Sequence, residues 1–215
     1  MSYDKHHKFF EQAYRTGSDH WTVIPFTRRA HELTLYLPAG SLILDLGTGR
    51  GRLLYDLEQL GFRAIGLEYN ADLVKKVNNN IKDKKLEHSL RALEGNALDI
   101  PLTDQSFDAL VDVGLLHHIL PADYKTYVSE AVRVLKQGGF FFLAVLSMKT
   151  SNYLTWHPSQ TEIADYELEG VNYHFFSDEE LRALFEKDFD IKHIDFDMPY
   201  GPQGTIYAIV LLRKK

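Results

Sequence analysis

The chain contains no cysteine among its 215 residues. Disulfide bonds, thiolate metal sites and a cysteine nucleophile are therefore excluded. Nor do the histidines fall into the spacing of two histidines and one carboxylate that is typical of a metal site. The sequence therefore predicts neither thiol chemistry nor a bound metal.

Long apolar runs and an excess of positive charge are also missing. No run of 18 apolar residues exists, and the first residues, M-S-Y-D-K-H-H-K-F-F-E-Q, lack the apolar stretch of a signal peptide. The formal net charge is −6, whereas a general nucleic-acid binder needs a basic surface. We therefore expect a cytoplasmic protein with neither a membrane nor a nucleic acid as its partner.

What the sequence does contain is a repeated alternation of apolar runs and amphipathic stretches. With 45% hydrophobic residues, the chain can build one domain around a sizeable core. The alternation predicts βα units that form a parallel sheet covered by helices on both faces. The predicted strands are Ser41–Leu46, Arg63–Glu68, Leu90–Glu94, Phe107–Val113, Phe140–Leu146, Asp190–Met198 and Thr205–Arg213. The predicted helices are 4–15, 25–37, Arg52–Leu60, Ala71–Lys82, Tyr124–Leu135, which is ended by Gly138 and Gly139, and Asp178–Lys187.

The C-terminal third departs from this alternation. Ser147–Phe176 shows no clear period, is rich in Tyr, Trp and His, and is too long to be a simple connection. The last two predicted strands are joined by a short turn, Pro199–Gly204, so they must be antiparallel.

A glycine-rich segment follows the first predicted strand. Residues 42–53 read L-I-L-D-L-G-T-G-R-G-R-L, which indicates a buried strand that turns sharply into a helix. Glycine permits positive φ and close approach of a ligand, and the N-terminus of the helix offers unpaired N–H groups. This turn is a candidate ligand-binding site.

The spacing of the glycines separates two families. A dinucleotide-binding turn reads G-x-G-x-x-G, but here Arg52 stands where the third glycine belongs. The string D-x-G-x-G-x-G, from Asp45 to Gly51, resembles the first motif of class I S-adenosylmethionine-dependent methyltransferases. That resemblance implies a Rossmann-like, doubly wound α/β fold with a mostly parallel, seven-stranded sheet whose last strand is antiparallel. It also implies S-adenosylmethionine as cofactor and S-adenosylhomocysteine as product.

The resemblance assigns a role to the first strand and its turn. It implies that Asp45, Gly47, Thr48, Gly49 and Gly51 hold the methionine end of the cofactor. Burying a carboxylate beside a turn is costly unless a cationic group meets it. The alternative is that Asp45 only caps the turn or the following helix.

The second predicted strand ends at another acidic residue. Glu68 follows the turn by about 20 positions, where a carboxylate is placed to accept both ribose hydroxyls. Otherwise it is an exposed glutamate at a strand end. The resemblance implies that its neighbour Tyr69 packs near the adenosine.

Two further segments resemble the same family. Gly95–Leu102, G-N-A-L-D-I-P-L, matches a segment in which Asn96 and Ala97 would read the adenine edge. Asn96 stands in place of the more usual aspartate, and turn formation is its alternative role. Val113 and Gly114, at the end of the fourth strand, are implied to lie beneath the cofactor through backbone contacts.

Candidates for catalysis and for closure of the site lie in the flanking loops. His117 and His118 are candidates for a general base, although either can instead pack or cap. Trp21, in a segment that also holds Tyr14, is a candidate to close over the cofactor, with packing as the alternative. We expect the 147–176 segment to form a lid that excludes water from the acceptor pocket. Its candidate pocket residues are Tyr153, Trp156, His157, Tyr166, Tyr173 and His174.

These observations predict a single domain, residues 1–215, with four parts: an N-terminal helical cap (1–40), a cofactor-binding core (41–146), a lid insertion (147–176) and a C-terminal helix with an antiparallel strand pair (177–215). We expect methyl transfer to a small-molecule acceptor by in-line displacement, in a monomer or homodimer. The alternatives are a protein methyltransferase, a non-catalytic regulator that binds the cofactor, and an NAD-binding oxidoreductase, which Arg52 opposes.

Overall fold

The computed structural model describes residues 3–19, 21, 31–150, 165–168, 170–196 and 205–215. The strands are β1 (Leu42–Leu46), β2 (Arg63–Glu68), β3 (Leu90–Glu94), β4 (Phe107–Val113), β5 (Leu135–Leu146), β6 (Asp165–Leu168), β7 (Val171–His174), β8 (Phe189–Phe196) and β9 (Tyr207–Lys214). The helices are α1 (Asp4–Thr16), α2 (Arg52–Gln59), α3 (Ala71–Asp83), α4 (Tyr124–Val134) and α5 (Asp178–Phe185). Short 3₁₀ turns cover His31–Leu35, Leu116–His118 and Pro121–Asp123.

Seven strands form one sheet in the order β3-β2-β1-β4-β5-β9-β8. β1 to β5 pair in parallel, whereas β9 pairs antiparallel with both β5 and β8. The predicted mostly parallel, doubly wound sheet with an antiparallel last strand is confirmed. Because the strands reverse order beside β1, the carboxyl ends of β1 and β4 border the crevice in which such sheets bind ligands.

Apolar side chains fill both faces of the sheet. On one face, Tyr127 and Ala131 of α4 and Phe185 of α5 join a buried cluster with the strands. On the other face, Leu54 of α2 and Val77 of α3 do the same. Burial on both faces explains why the central strands read as continuous apolar runs.

The structure corrects the sequence-based elements in three places. The predicted irregular segment 147–176 contains an antiparallel hairpin of β6 and β7, whose four-residue strands are too short for a period of two to stand out. β5 begins at Leu135, directly after α4, and its pairing with β4 shifts register between Phe107 and Ala109, so Gly138 and Gly139 lie within the strand. The predicted helix 25–37 is a 3₁₀ turn at His31–Leu35, and its earlier part lies outside the described residues, as does the predicted turn 199–204.

Candidate functional site

The glycine turn after β1 has the backbone geometry that its sequence predicts. Gly49 and Gly51 adopt φ of 53° and 71°, which L side chains rarely adopt. A Cβ at Gly51 would lie 2.7 Å from the Val77 side chain, and one at Gly49 would lie 2.8 Å from the Tyr14 hydroxyl. The turn therefore packs closely against α3 on one side and α1 on the other.

Asp45 lies buried in β1, just before this turn. It is 3% exposed, and its Oδ2 atom has no hydrogen-bond partner among the described residues. The buried hydroxyl of Thr48 is also unpartnered in that part of the chain. Burial, together with the neighbouring carboxyl groups of Asp112 and Glu68, raises the pKa of Asp45 to about 7, and the nearby Thr48 hydroxyl opposes the rise. A buried carboxylate oxygen without a partner is rare in folded proteins, and it marks a place where a cationic ligand group gains most.

Glu68 joins the turn from the end of β2. One carboxylate oxygen accepts the N–H of Gly49 at 3.0 Å, and the other accepts the N–H of Asn70 at 3.1 Å. Burial raises the pKa of Glu68, whereas these N–H bonds oppose the rise. Since each carboxylate oxygen has two acceptor sites, both oxygens retain capacity for a ligand hydroxyl.

The N-terminal helix covers the turn. The Arg50 side chain donates two bonds to Asp19, at 2.5 and 2.7 Å, and a third to the Tyr14 carbonyl at 3.0 Å. The Trp21 indole donates to the Tyr14 hydroxyl at 3.3 Å. Among the described residues, Tyr14 thus links Trp21 to the turn, and the predicted contact of Trp21 with the cofactor stays a prediction.

A cavity of about 740 Å³ lies between α1 and the start of α3. Its lining includes Tyr14 and Tyr69, the aromatic residues that border the turn from α1 and from β2. The Tyr69 ring stacks on His7 at 4.1 Å, and its hydroxyl donates to the His7 carbonyl at 3.1 Å. Among the described residues, most of its lining is polar, and Asp45, Glu68 and the glycines of the turn are not part of that lining.

The end of β4 carries a second buried aspartate. Asp112 is 0% exposed and accepts hydrogen bonds from the Tyr127 hydroxyl and from the N–H groups of Leu115 and Leu116. Burial raises the pKa of Asp112 to about 6, and these bonds oppose the rise. The carboxylate thus fixes the loop whose Leu115 side chain lies 3.3 Å from the position of a Gly47 Cβ.

The remaining predicted cofactor residues lie around this crevice. Gly114 has a φ of 97° and donates its N–H to the Ala144 carbonyl at 3.1 Å, while its neighbour Val113 is half-buried at the end of β4. The Asn96 side-chain oxygen accepts the Leu98 N–H at 2.9 Å, which is the turn role left open by the sequence. Ala97 beside it is buried. Cofactor contacts at these positions stay predictions.

The two histidines after β4 differ in their surroundings. His117 is buried, and its Nδ1 accepts the Leu146 N–H at 3.3 Å. Burial lowers the pKa of His117 well below its usual value. The partly exposed His118 points its Nδ1 at the Asn172 carbonyl, 2.8 Å away, and burial lowers its pKa to about 4. Both rings are therefore neutral at pH 7.

Sequence reasoning missed three contacts at this site. The Arg50–Asp19 pair and the closeness of Tyr14 to Gly49 join residues distant in sequence, whereas the support of the β4 loop by Asp112 depends on the direction of nearby main-chain N–H groups. An arginine inside a tight glycine turn was the available signal for the first of them.

Several predicted residues fall outside what the structure describes. They are Tyr153, Trp156, His157 and the side chain of Tyr166. Tyr173 and His174 lie in β7, where Tyr173 contacts the His118 ring edge-on at 4.8 Å. Within the described ranges, no three His, Asp or Glu residues are grouped as metal ligands, and no helix is long and apolar enough to cross a membrane.

Comparison with known proteins agrees with this geometry. Residues 44–143 match the model of a methyltransferase domain. An uncharacterized methyltransferase of Synechocystis is 31% identical over 133 residues, which cover 60% of this chain and 59% of that protein. A probable tRNA methyltransferase 9B of Homo sapiens is 30% identical over 114 residues, which cover 53% of this chain and 23% of that protein. The chain thus spans less than two thirds of either relative.

A similar fold occurs in a solved methyltransferase structure. The 1,6-didemethyltoxoflavin-N1-methyltransferase of Burkholderia thailandensis, with bound 1,6-didemethyltoxoflavin and S-adenosylhomocysteine, superposes with a TM-score of 0.79 at 22% identity. The match covers 97% of this chain and 86% of that one. The matched domain, the strand order and the glycine turn with its two flanking carboxylates agree with one another: residues 44–143 resemble a methyltransferase domain, and the chain has the fold of the solved methyltransferase.

Proposed function

We propose that the protein transfers a methyl group from S-adenosylmethionine to a nucleophilic atom of a small-molecule acceptor. The observation that carries the proposal is the partnerless Oδ2 of Asp45, buried beside the glycine turn. The α-ammonium group of the cofactor would supply the positively charged partner that this oxygen lacks. The bound sulfonium would supply an electrophilic methyl group.

The residues at the carboxyl ends of β1 and β2 fit that cofactor. Asp45 and the Thr48 hydroxyl offer acceptors to the ammonium, and the N-terminus of α2 offers N–H groups to the carboxylate. Glu68 offers acceptors to the ribose hydroxyls, and Tyr69 offers an aromatic face beside them. The protein's task is then to align the acceptor with the methyl group and exclude water, which is worth up to roughly 7–11 kcal/mol of barrier.

The N-terminal helix α1, which lies over the glycine turn, favours a small-molecule acceptor. The Arg50–Asp19 pair holds the end of α1 against the turn, and Tyr14 lies directly over Gly49. A covered site suits a small molecule better than a protein side chain or a folded RNA. The structural neighbour from Burkholderia thailandensis, which was solved with bound 1,6-didemethyltoxoflavin, supports the same interpretation.

Transfer to tRNA is the second candidate, because one human relative is named a probable tRNA methyltransferase. The net charge of −6 argues against it. Incubating the protein with S-adenosylmethionine and either bulk tRNA or a panel of small phenols, amines and N-heteroaromatics separates the two. We expect S-adenosylhomocysteine to form with a member of the panel and not with tRNA; turnover with tRNA alone would refute the small acceptor.

Cofactor binding is tested separately by calorimetry. We expect binding of S-adenosylmethionine and S-adenosylhomocysteine, and none of NAD. Binding of both sulfur nucleosides without transfer to any acceptor would favour a non-catalytic regulator. Binding of NAD instead would refute the proposed cofactor.

A further inference from the structure

The segment that follows β3 begins directly beside the end of β2. The Gly95 N–H donates to the Glu68 carbonyl at 3.0 Å. A Cβ at Gly95 would lie 2.6 Å from the Leu67 side chain and 2.8 Å from Pro101, so a larger residue would displace these side chains. The segment Gly95–Leu102 is therefore attached at its start to the residue whose carboxylate is proposed to bind the ribose.

The middle of this segment is an exposed turn with two buried anchors. Ala97 and Ile100 are 8% and 3% exposed, and both join the buried cluster on one face of the sheet. Asn96 is exposed, its side-chain oxygen accepts the Leu98 N–H, and its carbonyl accepts the Asp99 N–H at 3.0 Å. Because an amide oxygen has two acceptor sites, the side-chain oxygen of Asn96 can accept one further hydrogen bond.

Arg133 of α4 holds the far end of the segment. Its guanidinium donates to the carbonyl groups of Ile100 and Leu102, both at 2.8 Å. It also donates twice to Glu130, at 2.8 Å each, and once to Asp104 at 2.7 Å. These five bonds use all five N–H groups of the side chain. The planar guanidinium is thus fixed in one orientation against the segment.

Glu130, one helical turn earlier, holds the same stretch of main chain. One of its oxygens accepts the Ile100 N–H at 2.7 Å as well as a bond from Arg133. The bonds from Arg133 lower the pKa of Glu130, although burial opposes the shift. The two side chains therefore form a charged pair at pH 7, and this pair, here called the α4 clamp, bonds both the N–H and the carbonyl of Ile100.

A neighbouring ion pair serves as an internal contrast. Lys136 donates to Asp108 at 2.7 Å, and Asp108 also accepts the Leu42 N–H at 2.8 Å. That pair joins the amino ends of β1 and β4, away from the glycine turn. The α4 clamp instead holds the segment that leaves β3 beside Glu68.

We propose that the α4 clamp positions the Asn96 turn relative to the Glu68 carboxylate, and thereby makes cofactor binding selective for adenine. Arg133 and Glu130 are positioning residues in this account, because they act through the segment. The inference rests on the proposed methyl transfer from S-adenosylmethionine and deepens it by naming what sets the selectivity for the base. A cofactor whose base is hypoxanthine should be rejected, since an oxygen that replaces the adenine amino group would face the Asn96 oxygen.

The need for such a clamp follows from the exposure of the turn. Asn96 and Asp99 are exposed and Leu98 is half-buried, so packing alone holds the turn weakly. A displacement of about 1 Å in a positioning group is enough to cost roughly 100-fold in a reaction rate. Bonds from a rigid helix to the main chain a few residues later limit such displacements.

Hydrogen exchange in the free, full-length protein tests the clamp without any cofactor. Arg133→Lys keeps the positive charge but cannot bond both carbonyl groups and Glu130 at once. We expect amide exchange in Leu98–Leu102 to become about 10-fold faster, while exchange in β3 is unchanged. Arg91→Lys, at an exposed position in β3, is the matched control. Unchanged protection of the segment in Arg133→Lys would overturn the clamp.

Calorimetry with S-adenosylhomocysteine and S-inosylhomocysteine tests the selectivity. We expect the wild type and Arg91→Lys to bind the adenine compound on the order of 10- to 100-fold more tightly. In Arg133→Lys the affinity for S-adenosylhomocysteine should fall about 10-fold and that for S-inosylhomocysteine should change little, so the preference shrinks. Glu130→Gln should give an intermediate preference, because its one amide oxygen can still accept the Ile100 N–H.

The ratio of the two affinities separates positioning from a purely structural role. A structural clamp would lower the melting temperature and weaken both compounds equally, so an unchanged preference for adenine in Arg133→Lys would overturn the inference. Equal binding of both compounds by the wild type would overturn it as well. Failure of the wild type to bind S-adenosylmethionine would refute the proposed function and the selectivity with it, whereas the exchange measurement would still decide whether the clamp orders the segment.

Discussion

The carboxyl ends of β1 and β4 each bury an aspartate, and the two differ in how many partners the carboxylate has. Asp112 receives three hydrogen bonds from its own loop and from Tyr127. Asp45 keeps an oxygen without any partner in the described chain. A buried group that is fully bonded stabilises a loop, whereas one left unbonded lowers stability until a ligand arrives. We therefore infer that the end of β4 is structural and the end of β1 is kept for the cofactor.

Neutralising each aspartate in turn is the most direct test of whether the two carboxylates have different roles. Asp112→Asn keeps one acceptor oxygen but turns an NH2 group towards at least one main-chain N–H that the carboxylate now accepts, so the free energy of unfolding should fall by about 1–3 kcal/mol. Urea denaturation without cofactor at pH 4, below the folded pKa values of both aspartates, measures this loss without a contribution from their charge. Equal losses of stability in Asp112→Asn and Asp45→Asn would remove the distinction between the two strand ends.

Asp45→Asn should act on stability in the opposite direction. Because its folded pKa of about 7 lies above the unfolded value, charging Asp45 costs stability as pH rises from about 4 through 7. The cost reaches up to about 4 kcal/mol at pH 8. The variant should therefore gain stability at pH 8 and change little at pH 4.

The same substitution should weaken cofactor binding strongly. Asp45→Asn removes the charge that meets the ammonium, so the affinity for S-adenosylmethionine should fall on the order of 100-fold. Calorimetry measures the loss, and Asp190→Asn, at an exposed position in β8, is the matched control. Wild-type affinity in Asp45→Asn would assign this aspartate a structural role only.

Glu68 tests whether the neighbouring strand end belongs to the same site. Glu68→Ala removes the acceptors for the ribose, and we expect the affinity for the cofactor to fall on the order of 10-fold or somewhat more. Glu94, which ends β3 and is exposed, provides the control substitution Glu94→Ala. Unchanged affinity in Glu68→Ala would limit its role to the bonds it makes with Gly49 and Asn70.

The smallest effect on the cofactor site is expected from the Arg50–Asp19 ion pair, which holds α1 over the glycine turn. Arg50→Lys keeps the charge but loses the paired bonds to Asp19, so α1 should be held less firmly over the turn. We expect faster dissociation of S-adenosylhomocysteine, by a few-fold, in stopped-flow measurements. A dissociation rate equal to that of the wild type would show that the Arg50–Asp19 pair does not contribute to closure of the site.

The comparison also shows what the sequence alone could predict. Asp45 and Glu68 were predicted as cofactor residues from local signals, because each lies at or near the end of an apolar strand and close to the glycine turn. The structural role of Asp112 was not found, since it depends on Tyr127 in α4 and on loop N–H groups whose direction only the folded chain sets. The hairpin of β6 and β7 was also missed, because its strands are short. Its contacts with α1 and the β4 loop are hydrogen bonds between main-chain atoms and the side chains of His6 and His118, which the sequence does not reveal.

Proton release on cofactor binding tests the central claim most directly. With a pKa of about 7, Asp45 is mostly protonated at pH 6 in the free protein, and an ammonium held against it favours the charged form. Calorimetry of S-adenosylmethionine binding at pH 6, in buffers of different ionisation enthalpy, should show the release of about one proton per cofactor in the wild type and none in Asp45→Asn. Tight binding with no proton released by the wild type would contradict the account.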